Sequence, residues 1–329
     1  SFGFRAYTSM NVLFITYSRI GDAVLSTGVL AELIRSNPKL HVTVACGPVA
    51  SPLFQAVPNL VRVIAMPKRK ASLHWLDLWR QCVSVRWDIL VDLRNSATSR
   101  LLRAKRKYIG GRADPSCHRV EHLGAIMDMS PAPAPRLWLK EHHLNRAREM
   151  LPADGPILAL GPVANWSGKQ WDAKRFAELA NRLTSRSGIM RGAPVVILGG
   201  PEERAQAEFV SAMIPATQSI DLVGKVDLLT ACAVLHQCSL FVGNDSGLMH
   251  IAAASGVATL GLFGPSREEH YAPWGARTSV VRTKLDYDEL VSRPGYNHRT
   301  IDSLMGSLAV DDVEEAVIEL WRRVGEKVT

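Results

Sequence analysis

The densest group of chemistry-bearing residues is Asn244-Asp245-Ser246-Gly247-Leu248-Met249-His250. It follows the apolar run Leu240–Val242 and leads into a segment of helical composition, Gly247–Ala254. A strand running through a polar turn into a helix leaves first-turn N–H groups without intrahelical partners, a ready site for phosphate or diphosphate. Gly247 admits close backbone approach, and Ser246 can cap the helix or donate. Asp245 would repel an anion, so it fits better as an acceptor for sugar hydroxyls beside the phosphates. His250, one turn on, can donate to a phosphate oxygen. A helix cap plus a packed histidine accounts for each residue singly, and poorly for the combination.

Three other turns follow apolar runs. Gly161–Trp171 carries Lys169 between Trp166 and Trp171, a point charge suited to a diphosphate. Tyr17-Ser18-Arg19-Ile20-Gly21-Asp22 follows the first apolar run. Asp22 there reads as a helix cap or as a general base at the carboxyl end of a strand. In Gly199-Gly200-Pro201-Glu202-Glu203, a glutamate can bind a ribose diol or simply favour a helix start. Two short matches carry less weight. His118-Arg119-Val120-Glu121-His122 fits the HxxEH zinc pattern but lies in a basic connecting region. Asp286-Tyr287-Asp288 looks like a metal-holding DxD but follows no apolar run. GxGxxG, P-loop, HExxH and GxSxG patterns are absent, which disfavours a nicotinamide-dependent dehydrogenase.

These turns need strands and helices to hold them, and the chain supplies an alternation. Strands are expected at Val12–Thr16, Val42–Ala45, Val61–Ala65 and Ile89–Leu93, with helices at Ala23–Ile34 and Leu73–Val83. The alternation restarts after Pro152–Pro156 with strand Ile157–Leu160 and helix Ala173–Arg186. Strand Pro194–Leu198, helices Glu202–Met213 and Leu228–His236, strand Thr259–Phe263 and helix Val310–Val324 follow. Such spacing predicts βαβ units and parallel sheets. The expected organisation is α/β: two βαβ domains of similar size, residues 10–153 and 154–329.

The 329 residues exceed what one core usually supports. The net charge of +8 is uneven: residues 10–153 hold 21 Lys and Arg against 10 Asp and Glu, whereas residues 154–329 hold 17 against 21. A basic first half attracts phosphates or carboxylates on a partner; nothing in it calls for nucleic acid. Five cysteines without a CxxC suit free thiols in a reducing cytoplasm. No stretch approaches the 18 apolar residues of a membrane span. Residues 1–9 lack the apolar core of a signal peptide and read as an extension ahead of Met10.

Four blocks in order resemble glycosyltransferase family 9, the lipopolysaccharide heptosyltransferases. They are Met10–Leu30 with Ser18–Asp22, Gly161–Trp171 with Lys-x-Trp, Ile197–Glu203, and Phe241–Ser266 with Asn-Asp-Ser-Gly-Leu-Met-His and Phe263-Gly264-Pro265. The resemblance implies a GT-B architecture, two Rossmann-like, doubly wound domains facing across a cleft, with the last helix, about 310–325, packing back toward the first domain. It implies inverting transfer of heptose from ADP-heptose to the Kdo–lipid A inner core or to a heptose on it, with no cofactor and no metal. Under it Asp22 is the base and Lys169 faces the diphosphate. Asp245, Ser246, Gly247, His250 and Glu203 hold the donor. Arg19, Arg69 and Arg94 are expected on the acceptor, an anionic lipid-linked saccharide. The expected setting is cytoplasmic, with peripheral contact at the inner membrane. Another nucleotide sugar serving a different surface polysaccharide, or a non-catalytic nucleotide-sugar binder, stays open.

Overall fold

The computed structural model describes residues 9–112, 114–294, 296–297 and 301–325. The chain divides into two units between Lys140 and Glu141. The first contains β1 (Met10–Ile15), α1 (Ile20–Ser36), β2 (Leu40–Cys46), β3 (Leu60–Ala65), α2 (His74–Cys82), β4 (Trp87–Asp92), α3 (Ala97–Leu101), β5 (Ala104–Ile109) and α4 (Arg119–Ala125). Its sheet has the order β3-β2-β1-β4-β5, and every pairing is parallel. Helices on both faces of such a sheet bury its central strands twice, which is why β1 reads as an unbroken apolar run. Leu13, Ile15 and Leu90 pack with Leu78 and Cys82 of α2 in one buried cluster.

The second unit contains α5 (Glu141–Met150), β6 (Leu158–Gly161), α6 (Ala173–Thr184), β7 (Val195–Ile197), α7 (Arg204–Met213), β8 (Ser219–Asp221), α8 (Leu228–Gln237) and β9 (Leu240–Asn244). It continues with α9 (Gly247–Ser255), β10 (Ala258–Phe263), α10 (Glu268–Tyr271), β11 (Thr278–Arg282), α11 (Tyr287–Val291) and α12 (Val310–Gly325). The strands form a second parallel sheet, β11-β10-β9-β6-β7-β8.

One boundary differs from the expectation. The division falls before Glu141 rather than after Ala153, because α5 packs against α8 of the second unit. Pro152–Pro156 is thus a loop inside that unit. Within the second unit the last helix lies against α6, β10 and β11. Its stripe Val310, Val313, Val317, Leu320 and Val324 belongs to the second core. A three-to-four spacing of branched apolar side chains puts them all on one helix face, and that core takes the whole face.

Three edge strands, β5, β8 and β11, are not expected from the sequence. β5, read as the basic cluster Arg103–Lys107, is an edge strand with its central residues exposed. Lysines on an edge strand discourage further pairing and hide the strand signal. β8 and β11 are short or half-exposed edges for the same sequence-level reason. The five cysteines are free thiols, as expected, and four are buried. Burial pushes the Cys232 and Cys238 thiols up to about 12. Among the described residues no helix is long and apolar enough to cross a membrane.

Candidate functional site

In the second sheet the winding reverses beside β6. The chain lays β7 and β8 on one side of it and β9, β10 and β11 on the other. Ligands of open α/β sheets sit at the carboxyl ends of the strands flanking such a reversal. The register pairs Gly161, the end of β6, with Gly243 of β9. The Phe241 ring covers both: a Cβ on either glycine would come within 2.6 Å of its Cζ. The two sequence motifs therefore leave the sheet side by side.

Two side-chain links join the loops. Lys169, in a short turn Ser167–Lys169, donates from Nζ to Asp245 Oδ2 at 2.5 Å. The Trp171 N–H donates to Asn244 Oδ1 at 3.1 Å. The Asp245 side chain is only 7% exposed and that of Lys169 24%. The Asp245 N–H donates to the Leu262 carbonyl at 3.2 Å, anchoring the turn to β10. A positive charge held by a carboxylate at a strand end is a fixed point for an anion and for neighbouring hydroxyls.

Ser246 is the N-cap of α9 with extended backbone, φ −150° and ψ 172°, yet its side chain makes no capping bond. Its Oγ is buried without a partner among the described residues, as are Asn244 Nδ2 and Ser266 Oγ. A dry, unsatisfied buried polar group costs about 1–3 kcal/mol. Together with the helix-start N–H groups from Gly247 onward, these atoms offer donors to a bound oxyanion. His250 is buried on the same helix. At the end of β7, Glu203 accepts from the Gly200 N–H at 2.7 Å. Burial raises the Glu203 carboxyl above its ordinary range; the Gly200 N–H opposes this, and neighbouring Glu202 adds to it.

A feature the sequence did not announce holds the Lys169 loop. Segment 301–308, ahead of α12, runs along it. The Leu304 N–H donates to Gly168 O at 3.0 Å. Ser303 Oγ donates to Gln170 O at 2.6 Å. Ser167 Oγ donates to Ile301 O at 3.0 Å, and Trp171 Nε1 to Leu308 O at 2.9 Å. Arg175 adds bonds to Gly306 and Leu308 carbonyls. Ile301-Asp302-Ser303-Leu304-Met305-Gly306-Ser307-Leu308 follows no helical or strand period, and no signal in it distinguishes a strap from a loop.

The first sheet reverses beside β1, whose neighbours are β2 and β4. Asp22 is the third residue of α1, half-buried, and Arg19 is the exposed N-cap without a capping bond. Tyr17 Oη donates to Leu93 O at 2.7 Å, joining the turns after β1 and β4. Gly47, after β2, leaves room for Ser18, since a Cβ there would stand 2.5 Å from Ser18 Cβ. Arg94 lies over the Trp75 ring at 4.7 Å, and Arg119 over Tyr17 at 4.9 Å. Burial lowers the Arg94 pKa, while Asp92, Tyr17 and Cys46 raise it. Asp92 is consumed locally: it accepts from the Arg94 N–H at 2.9 Å, the Ser96 N–H at 2.7 Å and Ser96 Oγ at 2.6 Å. Arg69 stands apart at the start of α2, paired with Asp77 at 2.5 Å. The structure thus gathers Asp22, Arg19 and Arg94 at one strand-end reversal, and Lys169 and Asp245–His250 at the other. Arg119 and Tyr17 were not singled out; only a stacked pair 102 positions apart in space-filling contact reveals them.

Both discounted metal patterns are helix caps. His118 Nδ1 accepts from the Val120 N–H at 3.1 Å, and the His118 N–H donates to Glu121 at 3.0 Å. Asp286 and Glu289 form the equivalent box on α11, and Asp288 pairs with Arg267 at 2.6 Å.

The family description Glycosyltransferase family 9 (heptosyltransferase) matches residues 120–294. Lipooligosaccharide heptosyltransferase 2 of Haemophilus influenzae is 24% identical over 353 aligned positions, covering 93% of this chain and 99% of that protein. The crystal structure of a family 9 glycosyltransferase from Veillonella parvula superposes with a TM-score of 0.76 at 20% identity, covering 96% of this chain and 98% of that one. An E. coli heptosyltransferase solved with ADP-2-deoxy-2-fluoro heptose gives 0.68 at 16%, covering 94% and 99%. These likenesses agree with the α/β, GT-B class of fold expected from the sequence.

Proposed function

The chain belongs to glycosyltransferase family 9, and from that premise we propose that it transfers a heptose from ADP-heptose to a hydroxyl of the lipopolysaccharide inner core, either Kdo–lipid A or a heptose already attached. The observation that carries the donor half is the Lys169–Asp245 contact at the start of α9. Lys169 and the α9 N–H groups neutralise charge developing on the leaving diphosphate, the role a metal plays elsewhere. Asp245 accepts from donor sugar hydroxyls. Ser246, Gly247 and His250 donate toward phosphate oxygens, and Glu203 receives the ribose diol. Transfer proceeds without a metal in this reading.

Asp22 takes the proton of the acceptor hydroxyl as its oxygen attacks the anomeric carbon. A single displacement on the face opposite the leaving group inverts that carbon. Arg19, Arg69 and Arg94 meet the acceptor's carboxylates and phosphates, so the protein works at the cytoplasmic face of the inner membrane. The supporting similarity is one of fold: a relative solved with an ADP-heptose analogue shares it.

The test is calorimetry with ADP, ADP-heptose, UDP-glucose and GDP-mannose, followed by product analysis on Kdo–lipid A with chelator present. Preference for ADP-heptose and a heptosylated, inverted product support the reading. Tighter binding of another nucleotide sugar replaces the donor. Donor binding without any product leaves a binding protein. Activity lost to chelator and restored by a divalent ion removes the metal-free route.

A further inference from the structure

Helix α2 buries one face and leaves another bare. His74, Leu78 and Cys82 are buried. Leu73, Leu76 and Val83 are 43%, 41% and 46% exposed. With Arg80, they fall at the three-to-four spacing of one outward stripe. Trp75 and Trp79 lie half-buried between the two faces and pack on the core beneath. Three large apolar side chains on one short helix are not needed by the fold and are open to solvent.

The charge around the stripe is one-sided. Lys68, Arg69 and Lys70 precede the helix and are exposed, Arg80 lies in its last turn, and Arg86 follows it. Between Pro67 and Arg86 the one acid is Asp77, engaged by Arg69 at 2.5 Å and Arg80 at 3.7 Å. An apolar stripe framed by lysine and arginine matches an anionic bilayer, whose phosphates meet the bases while the leucines enter the headgroup boundary. Phe209 and Met213, an exposed apolar pair on α7, have Glu208 beside them instead of a run of bases. Helix α2 also supports Arg94, whose guanidinium rests on Trp75 at 4.7 Å. A helix seated on the membrane would therefore hold a cation where the head of a lipid-linked saccharide emerges.

We propose that the outer face of α2, with Leu73, Leu76 and Val83 framed by Lys68, Lys70 and Arg80, docks the protein on an anionic bilayer. Its purpose rests on the lipid-linked acceptor proposed above; its geometry does not. The experiment is co-sedimentation of the full chain with vesicles of phosphatidylethanolamine and phosphatidylglycerol, against phosphatidylcholine alone. Binding to the anionic vesicles only, weakened by salt, is expected. Leu73→Asp with Leu76→Asp, and separately Lys68→Glu with Lys70→Glu, each lower that binding by about tenfold or more. Calorimetric affinity for ADP stays unchanged in both, which certifies the fold. Equal binding to neutral vesicles, or no loss in either double variant, overturns the proposal. So does a dimer in sedimentation that the leucine variants split, because the stripe then serves a second copy. Vesicle binding with no ADP affinity in the parent protein leaves the docking face standing and removes the donor reading instead.

Discussion

The two strand-end reversals share an architecture and differ in how they hold charge. In the second unit a lysine is paired with a nearly buried aspartate, and the turn is sewn to neighbouring strands by backbone bonds. In the first, the cations Arg94 and Arg119 rest on the faces of Trp75 and Tyr17. A carboxylate partner fixes a charge at a point. An aromatic face supports a guanidinium while leaving its N–H edge free for another group. The lysine–aspartate arrangement suits a compact anionic group such as a diphosphate; the aromatic-backed arginines leave room for a bulkier anion.

Substitutions can break this contrast, and the largest effect is expected at Asp22. Asp22→Asn should lower kcat by about 10²–10⁴ while ADP-heptose affinity by calorimetry changes little. Near-parental turnover would remove Asp22 as the base and make the first reversal a binding surface only. Lys169→Met should lower kcat/KM by about 10²–10³ and weaken ADP itself. Full activity with weakened ADP would reduce Lys169 to ground-state binding. Arg94→Ala should raise the KM for acceptor by roughly tenfold, from loss of one charge-assisted contact, with donor affinity intact. A donor effect of similar size would erase the distinction between the two sites.

The strap sharpens the comparison at smaller scale. Ser303→Ala removes one bond to the Lys169 loop. At about 0.5–1.5 kcal/mol per net hydrogen bond, ADP affinity should fall a few-fold, without change in acceptor KM. The mildest test is pH. Burial raises the Glu203 carboxyl, so it takes up a proton at a higher pH than a free carboxyl. Donor affinity should fall as pH drops through that range, and Glu203→Gln should flatten the profile. Stability shows the opposite sign. A raised acid contributes stability that is present below its unfolded pKa and lost as pH rises through its folded value. Thermal melts and calorimetry across the same pH range should therefore diverge in the parent and run parallel in the variant.

Much of the fold is legible in the sequence. Central strands such as β1, β6, β9 and β10 are buried on both faces, and continuous apolar runs announce them. The turn after each is readable because a helix start needs particular residue types. Asp245, Lys169 and Asp22 stand in or beside such turns, so local pattern singles them out as candidates. What stayed hidden has weak or misleading local pattern. β5 looked like a charge cluster because an edge strand has no second neighbour to demand apolar residues. His118–His122 looked like a metal motif because a capping box uses the same residue types.

The sequence by itself determined the alternation of strand and helix, the two sheets it implies and the polar turns at their ends. These follow from short-range rules, period and cap, that each segment obeys alone. Only the tertiary structure decided which turns became neighbours. The order of strands brought Lys169 to Asp245 across 76 positions, laid Arg94 on Trp75 and drew segment 301–308 over the Lys169 loop. Pairings of that separation are set by how sheets wind and cores fill, and no local pattern encodes them.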